Sequence, residues 1–129
     1  MADTPDKRVL IVDDEAFIRL LIMQTLEELE ELGVEIITAD NGLDALETIK
    51  QQMPNLVFLD VMIPRMSGFD VCRKVKRDLA MSEVYIVILT AKGQEYDRQV
   101  SQEAGADVYM TKPFDPDELL ELARNVLAI

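Results

Sequence analysis

Five polar residues in this sequence have the types and positions needed to bind a metal ion and a phosphoryl group. Each follows or ends a short apolar run, and they are Asp13, Asp14, Asp60, Thr90 and Lys112. Crowded carboxylates raise one another's pKa unless a cation neutralises their charge. Because the chain has no histidine and one cysteine, its metal ligands would be hard oxygens, which favours Mg²⁺ (or Mn²⁺).

The same set of side chains could support phosphoryl transfer. A lysine supplies a fixed positive charge, a threonine hydroxyl supplies a donor, and one carboxylate is free to act as a nucleophile. Simpler interpretations exist for single residues: Asp13 and Asp14 could cap the first helix, and Asp60 could open a turn before Pro64. All five residues arising by coincidence at one edge of a sheet is much less plausible.

Composition limits the alternatives. At 129 residues and 49% apolar residues, the chain is expected to form one domain, 1–129, with a flexible N-terminus over residues 1–7. A net charge of −12 opposes direct binding to nucleic acid. The lone Cys72 excludes a disulfide framework, and with no histidine an ordinary zinc site is also excluded. No apolar run is long enough for a membrane span and no signal peptide is evident, so we expect a cytoplasmic protein without membrane contact.

The elements that position these residues follow from hydrophobic patterning. Short apolar runs alternate with amphipathic stretches, and most runs are continuously apolar, as in strands buried on both faces of a parallel sheet. The second and fifth runs are more mixed, which suits sheet edges. Functional crevices of such sheets lie outside the carboxyl ends of the strands, where all five polar residues fall. The predicted strands are Val9–Val12, Val34–Thr38, Leu56–Leu59, Tyr85–Leu89 and Val108–Met110.

Five helices are predicted between and after the strands, which gives a doubly wound α/β fold with helices on both faces of a five-stranded parallel sheet. Gly33 and Gly105 mark helix ends, and Asp115-Pro116 marks the start of the last helix. The fourth helix, about Gln94–Ala104, is the weakest. The expected apolar faces are Ile18, Leu21, Ile22, Thr25, Leu29 and Leu32; Ala45, Leu46, Ile49 and Met53; Phe69, Cys72, Val75 and Leu79; and Tyr96, Val100 and Ala104.

Segments from Val9 to the terminal helix resemble the receiver domains of two-component response regulators, close in length to the stand-alone chemotaxis type. The resemblance covers essentially the whole chain and implies a flavodoxin-like sheet with strand order 2-1-3-4-5. The combination of motifs is highly specific, although Asp-Asp-Glu alone would be weak. The matching segments are Val-Leu-Ile-Val-Asp-Asp-Glu at 9–15, Leu-Asp-Val-Met-Ile-Pro-Arg-Met-Ser-Gly at 59–68, Leu-Thr-Ala at 89–91, Gly-Ala-Asp at 105–107 and Tyr-Met-Thr-Lys-Pro-Phe at 109–114.

The resemblance implies a role for each pocket residue. Asp60 matches the phosphoacceptor, and Asp14 matches the direct Mg²⁺ ligand. Asp13 would help through water. Lys112 would pair with phosphoryl oxygens, and Thr90 would hydrogen-bond them.

Further positions take roles from the same family pattern. The backbone carbonyl of Met62 would complete the metal ligands, and Tyr109 matches an aromatic that turns inward as Thr90 moves. Met62 and Lys92 lie two residues beyond Asp60 and Thr90, where they would tune the lifetime of the phosphoryl group. Lys112-Pro113 is a candidate cis peptide.

Two other classes compete with a receiver. Haloacid-dehalogenase-type phosphatases also use an aspartate nucleophile and Mg²⁺, but they carry a second acid two residues on, where this chain has Met62. A flavin-binding module would need a hydroxyl- and glycine-rich loop after the first strand, where the chain has Asp13-Asp14-Glu15. Neither fits, and a receiver catalyses only its own phosphorylation and dephosphorylation.

A receiver implies two partners: a sensor histidine kinase or phosphotransfer protein, and a downstream output protein or an effector domain from which the chain was cut. In winged-helix transcription factors the face formed by helix four, strand five and helix five pairs symmetrically. Arg98, Glu118 and Asp107 match residues of those ion pairs, but Val108 and Leu122 stand where a further Asp–Arg pair would be. We therefore expect this face to bind a different protein more readily than a second copy.

Overall fold

The computed structural model describes residues 7–91 and 95–129 and contains one five-stranded parallel sheet. Its strand order is β2-β1-β3-β4-β5, so the predicted fold is confirmed, with the two mixed runs at the edges. Each strand lies within about one residue of its predicted bounds. The strands are β1 (Arg8–Val12), β2 (Glu35–Ala39), β3 (Leu56–Asp60), β4 (Tyr85–Thr90) and β5 (Val108–Thr111).

Helices cover both faces of the sheet. On one face, α1, α2 and α6 bury residues such as Ile22, Leu29 and Leu119 against the sheet, and on the other α3, α4 and α5 bury Ile49, Val71 and Ala104. The helices are α1 (Ala16–Thr25), α2 (Glu27–Glu31), α3 (Gly42–Gln52), α4 (Gly68–Arg73), α5 (Glu95–Ala104) and α6 (Pro116–Leu127), with a π-helical turn at Lys74–Asp78.

The predicted first helix is broken in two, and one residue predicted to lie on its apolar face is exposed. The hydroxyl of Thr25 donates to the carbonyl of Leu21 at 2.9 Å, a back-bond that competes with the helical ladder and bends helices. After the break, Leu26 is fully buried, although the sequence did not single it out. Leu32, predicted to face the core, is 57% exposed because α2 ends there before Gly33, whose φ is +105°.

Two other predicted core positions are also wrong. Met53 is 54% exposed and stands in left-handed backbone at the end of α3. The residue before a proline is disfavoured in a helix, so Pro54 forces α3 to stop at that point. Leu79 closes the π-helical turn and is 39% exposed. Cys72, in contrast, is fully buried as predicted, and burial raises the pKa of its thiol to about 11.

Helices α5 and α6 end and begin where the sequence signals predicted. The Asp115 side chain accepts from the backbone N–H of Asp117 and Pro116 opens α6, while Gly105 closes α5 with a φ of +91°. Lys7 is held by two hydrogen bonds: its carbonyl accepts from Glu35 N–H, and its ammonium donates to the carbonyl of Leu127. Within the predicted fourth helix, Gln94 and the side chain of Tyr96 lie outside the described residues.

Among residues 7–91 and 95–129, no helix is both long enough and apolar enough to cross a membrane.

The loop between β3 and α4 is packed so tightly that two glycines are needed. A Cβ on Gly68 would lie 2.2 Å from the backbone oxygen of Asp60, and one on Gly42 would lie 2.0 Å from the backbone oxygen of Met66. Backbone hydrogen bonds hold the same contacts: Gly68 N–H to Val61 at 3.0 Å, and Gly42 N–H to Pro64 at 3.1 Å. This packing fixes the backbone that carries Asp60.

We expect Gly68→Ala to destabilise the domain by about 1–3 kcal/mol, the usual cost of overpacking, and to displace Asp60. The neighbouring Ser67→Ala is the control, because its hydroxyl caps α4 by accepting from Asp70 N–H and its loss costs about 1 kcal/mol. Urea unfolding of both variants gives the free energies. A Gly68→Ala protein as stable as the wild type would contradict the close contact.

Candidate functional site

The carboxyl ends of β1, β3, β4 and β5 bring the five predicted polar residues to one edge of the sheet. Asp13 and Asp14 directly follow β1, Asp60 ends β3, and Thr90 ends β4. Asp13, Asp60 and Thr90 are buried, whereas Asp14 is exposed. Because β1 and β3 are paired neighbours, the aspartates after them must lie close together.

The three aspartates and Lys112 form a compact acidic pocket. One carboxylate oxygen from each of Asp13, Asp14 and Asp60 lies within 4.8 Å of the other two. The Lys112 ammonium donates to Asp13 Oδ2 at 3.1 Å and lies 3.5 Å from Asp60 Oδ2. The pocket thus combines three carboxylates with the ammonium of Lys112, which leaves it with an excess of negative charge.

Backbone contacts aim both Lys112 and Asp13 into this pocket. The backbone N–H of Lys112 donates to the carbonyl of Thr90 at 2.6 Å, and the predicted cis peptide at Lys112-Pro113 is confirmed. Asp13 Oδ1 accepts from Glu15 N–H at 2.9 Å. These bonds occupy one oxygen of Asp13 and leave its second oxygen for Lys112.

Sequence reasoning missed Arg19, which supports the pocket from α1. Its guanidinium donates to the backbone carbonyl of Asp13 at 2.6 Å and so fixes the turn from which Asp13 and Asp14 project. The signal was present, because Arg19 is the one charged residue of α1. Gly68 and Gly42 were also missed as supports of the pocket, although Gly68 ends one of the family-like segments.

The environment shifts the pKa of two groups in the pocket. Burial raises the pKa of Asp60, and the charge of Asp13 raises it further, while Lys112 and the backbone N–H of Met62 oppose the shift. Burial by itself lowers the pKa of Lys112, but its hydrogen bond to Asp13 and the charges of both carboxylates raise it overall. Lys112 is thus firmly cationic, whereas Asp60 carries an unfavourable charge.

The residues predicted to tune or switch the site lie around the pocket. Met62 follows Asp60 in the loop and is 78% exposed. Tyr109 lies in β5 opposite Ile88 and is half-buried, with the guanidinium of Arg98 4.9 Å from its ring centre. Lys92 lies outside the described residues.

The donor set fits a hard divalent cation. The converging ligands are carboxylate oxygens, which Mg²⁺ prefers, and the repulsion that raises the pKa of Asp60 is what a bound cation would relieve. Asp14, Asp60 and Asp13 are therefore the residues that could hold such an ion. The exposure of Asp14 leaves the site open to solvent.

This fold and pocket define the class: a doubly wound α/β domain with an acidic pocket at the carboxyl edge of its parallel sheet. Residues 9–124 match the response regulator receiver domain model, and the chain belongs to that family. It is a receiver domain of two-component signal transduction, and the match does not favour the dehalogenase-type alternative.

Individual proteins show the same similarity. The chain is 45% identical over 121 residues to the Pyropia yezoensis protein described as "Probable transcriptional regulator ycf27". The aligned residues cover 94% of this chain and 47% of that protein. The chain thus spans about half the length of the curated relatives it matches.

Among solved structures, the beryllofluoride-activated DrrB receiver domain is 32% identical with a TM-score of 0.82, over 95% of this chain and 98% of that one. The chemotaxis response regulator CheY4 of Vibrio cholerae is 30% identical with a TM-score of 0.81, over 93% and 98%. An activated receiver domain and a chemotaxis response regulator therefore share this fold.

We expect Asp60→Asn to stabilise the metal-free domain at neutral pH. Each 1 kcal/mol gained in the free energy of unfolding should raise Tm by roughly 4 °C. The raised pKa of Asp60 means that its charged form destabilises the folded state. Stability from this group therefore falls as pH rises from the ordinary aspartate range through the raised pKa. The gain from Asn should be full above that range and shrink towards pH 4.

Thermal unfolding in a chelating buffer across this pH range measures the difference. Asp78→Asn is the matched control, because Asp78 is exposed on the π-helical turn and pairs only loosely with Lys74, at 3.9 Å. If the increase in Tm from Asp60→Asn instead grew as the pH fell, burial and Asp13 would not be destabilising the charged form of Asp60.

Proposed function

We propose that Asp60 accepts a phosphoryl group from a sensor histidine kinase or phosphotransfer protein in the cytoplasm, in an Mg²⁺-dependent phosphorelay. The observation that carries this proposal is the convergence of Asp13, Asp14 and Asp60, with the Lys112 ammonium beside Asp13 and Asp60. A phosphoryl group carries negative charge on three oxygens, so its arrival needs fixed positive charge and exact alignment. The short distances among these side chains in the folded protein support the proposal.

The transfer itself is a displacement at phosphorus. A carboxylate oxygen of Asp60 forms the new O–P bond as the P–N bond of the donor phosphohistidine breaks, and the bonding pair returns to the imidazole nitrogen. The product is an acyl phosphate on Asp60 and a free histidine on the donor. Lys112 pairs with the incoming oxygens, and the Thr90 hydroxyl donates to them. The protein thus acts on its own side chain and not on a turnover substrate.

The metal ligands in this proposal are Asp14 directly, Asp13 through water, Asp60 and the backbone carbonyl of Met62. When bound, Mg²⁺ (or Mn²⁺) offsets the excess carboxylate charge and stabilises charge on the phosphoryl oxygens. Asp14 suits direct binding because it is exposed, whereas Asp13 Oδ2 already accepts from Lys112 at 3.1 Å.

Output in this proposal follows from Tyr109, which turns inward when Thr90 moves towards the phosphoryl group. The receiver unit comprises residues 1–129, and it signals either to a separate output protein or to an effector domain beyond it. Direct contact of this unit with nucleic acid is disfavoured by its net charge of −12. A relative described as a transcriptional regulator supports the second arrangement.

Intact mass after incubation with Mg²⁺ and acetyl phosphate tests the proposal. We expect one labile phosphoryl addition in the wild type and none in Asp60→Asn, with Asp78→Asn labelled normally as the matched control. Asp14→Ala should weaken Mg²⁺ binding roughly tenfold or more by titration calorimetry. Labelling of Asp60→Asn at the wild-type rate would overturn the assignment.

The lifetime of the phosphoryl group provides a separate test at Met62 and Lys92. A methionine cannot orient water by hydrogen bonding, so decay of the wild-type acyl phosphate should be slow to moderate. Met62→Asn should speed decay severalfold, and Lys92→Ala should change the decay rate. Met53→Asn, at the exposed methionine that caps the end of α3, should leave the decay rate unchanged. Loss of the added mass over time after removal of acetyl phosphate gives the rates. Unchanged decay in both Met62→Asn and Lys92→Ala would contradict this account.

A further inference from the structure

A basic groove lies on the surface formed by the β3–α4 loop, α4 and the π-helical turn. Residues 65–79 carry five of the chain's 13 basic residues and two of its 25 acidic ones. Four of these basic residues line the groove, which has a volume of about 460 Å³, and none of its lining residues belongs to the acidic pocket. We call this feature the α4 groove, and its charged lining residues are Arg65, Arg73, Lys74, Arg77, Asp70 and Asp78.

The two acids of the α4 groove do not neutralise its cations. The carboxylate of Asp70 lies 2.8 Å from the Arg73 guanidinium, and that of Asp78 lies 3.9 Å from the Lys74 ammonium. Ion pairs at exposed positions such as these are weak, because water and salt screen them. Four cations against two carboxylates leave the groove with a net local charge of +2.

Arg65 and Arg77 form no ion pair with any residue that the structure describes. The Arg77 guanidinium donates to the backbone carbonyl of Glu103 on α5, which holds the side chain without cancelling its charge. Arg65 is exposed in the β3–α4 loop, and its guanidinium makes no hydrogen bond to residues 7–91 or 95–129. Because a guanidinium has five N–H donors that suit carboxylates, both side chains keep donors for an anion.

A largely apolar cleft of about 170 Å³ adjoins the α4 groove. It is lined by Leu46 and Lys50 of α3 and by Leu79, which closes the π-helical turn and is 39% exposed. Lys74 and Asp78 line both cavities, so the cleft opens beside the groove. A cavity of about 150 Å³ holds a benzene molecule. The cleft therefore suits one large apolar side chain next to a charged group.

The charge distribution of the chain favours a short anionic occupant. Attraction between exposed charges extends about 10 Å at 0.1 M salt, so the cations of the groove attract a short acidic segment. A nucleic acid carries its charge much further, and it would meet the rest of a chain that holds the other 23 of its 25 acidic residues. An acidic peptide can also place an apolar side chain between Leu46 and Leu79.

A second copy of this chain is a poor occupant, although α2 offers an acidic surface. That helix carries four glutamates and is followed by the exposed Leu32. Glu28, however, already pairs with Arg124 of α6. Each copy has a net charge of −12, so two copies repel each other at long range. Contact between α2 and the α4 groove would also be head-to-tail and would not close into a symmetric dimer.

We propose that the α4 groove and its adjoining cleft bind an acidic segment of a partner protein that has one large apolar residue among its carboxylates. The carboxylates pair with Arg65, Lys74 and Arg77. The apolar side chain packs between Leu46 and Leu79. The proposal does not depend on the phosphorelay, because no residue of the acidic pocket lines either cavity.

Fluorescence anisotropy with the full chain and labelled synthetic peptides tests the proposal. The probe is a peptide of glutamate and serine with one central leucine. One comparison peptide has lysine in place of glutamate, and the other has serine in place of leucine. We expect the probe to bind at least roughly tenfold tighter than either comparison peptide, and more weakly as salt is added. Backbone amide shifts should localise it to residues 65–79 and the facing side of α3.

Matched double variants separate the α4 groove from general electrostatic effects. Arg65→Gln with Lys74→Gln should weaken binding of the probe about tenfold. Gln24→Glu with Gln51→Glu also makes the net charge more negative by two, at exposed positions of α1 and α3 that do not line the groove. This control should leave the affinity within about twofold of the wild type.

Leu79→Ala tests the cleft and should weaken binding of the probe severalfold. Leu32→Ala is its control, because Leu32 is also an exposed leucine at the end of a helical segment and does not line the cleft. Thermal unfolding of both variants shows whether they remain folded. If Leu79→Ala unfolds, the peptide with serine in place of leucine tests the cleft on the wild-type protein.

Several results would overturn the proposal. Equal loss of affinity in both double variants would make the attraction nonspecific, and equal affinity for the leucine and serine peptides would remove the role of the cleft. A single-stranded DNA oligonucleotide of the same net charge that binds as tightly as the probe, and is lost in Arg65→Gln/Lys74→Gln, would make nucleic acid the occupant. A dimer in sedimentation velocity that disappears in the same variant would make a second copy the occupant.

Discussion

The pocket depends on unbalanced charge held at close range. Asp13 and Asp60 are buried, both face the one Lys112 ammonium, and Asp14 adds a third carboxylate from the exposed side. Burial and Asp13 raise the pKa of Asp60, so the folded domain carries a charge that the sheet alone does not stabilise. A bound divalent cation would relieve that repulsion, and an anionic phosphoryl group would need such positive charge beside it.

Holding such a pocket requires rigid surroundings, and the chain builds them from backbone. Gly68 and Gly42 bring the β3–α4 loop against β3 and α3 at distances that no side chain would permit. Arg19 binds the carbonyl of Asp13 at 2.6 Å, and Lys112 N–H binds the carbonyl of Thr90 at 2.6 Å. The pocket residues are therefore fixed by main-chain contacts, so ligand binding need not order them.

The sheet and the pocket could be predicted from sequence because they follow from patterns that dominate locally. Continuous apolar runs define buried parallel strands, and their carboxyl ends must share one edge, which places Asp13, Asp60 and Lys112 together. Helix faces were less predictable. The hydrogen bond from the Thr25 hydroxyl to Leu21 and the restriction that Pro54 imposes on Met53 are single-residue effects. They break or end a helix although the apolar spacing in the sequence continues.

Pairing between distant segments could not be predicted at all, and Asp107 shows why. Residue type and position suited it to an intermolecular ion pair, yet Lys76 reaches it from the π-helical turn, 31 residues earlier in the sequence, at 2.8 Å. Asp107 also accepts from the backbone N–H of Ile86 at 2.8 Å, so its carboxylate joins the π-helical turn to β4 within the chain. Strand β5 connects Asp107 to the acidic pocket: Tyr109 lies within the strand, and Lys112 follows its last residue. Distant segments therefore hold both ends of β5, because Lys76 pairs with Asp107 before the strand and Asp13 pairs with Lys112 after it.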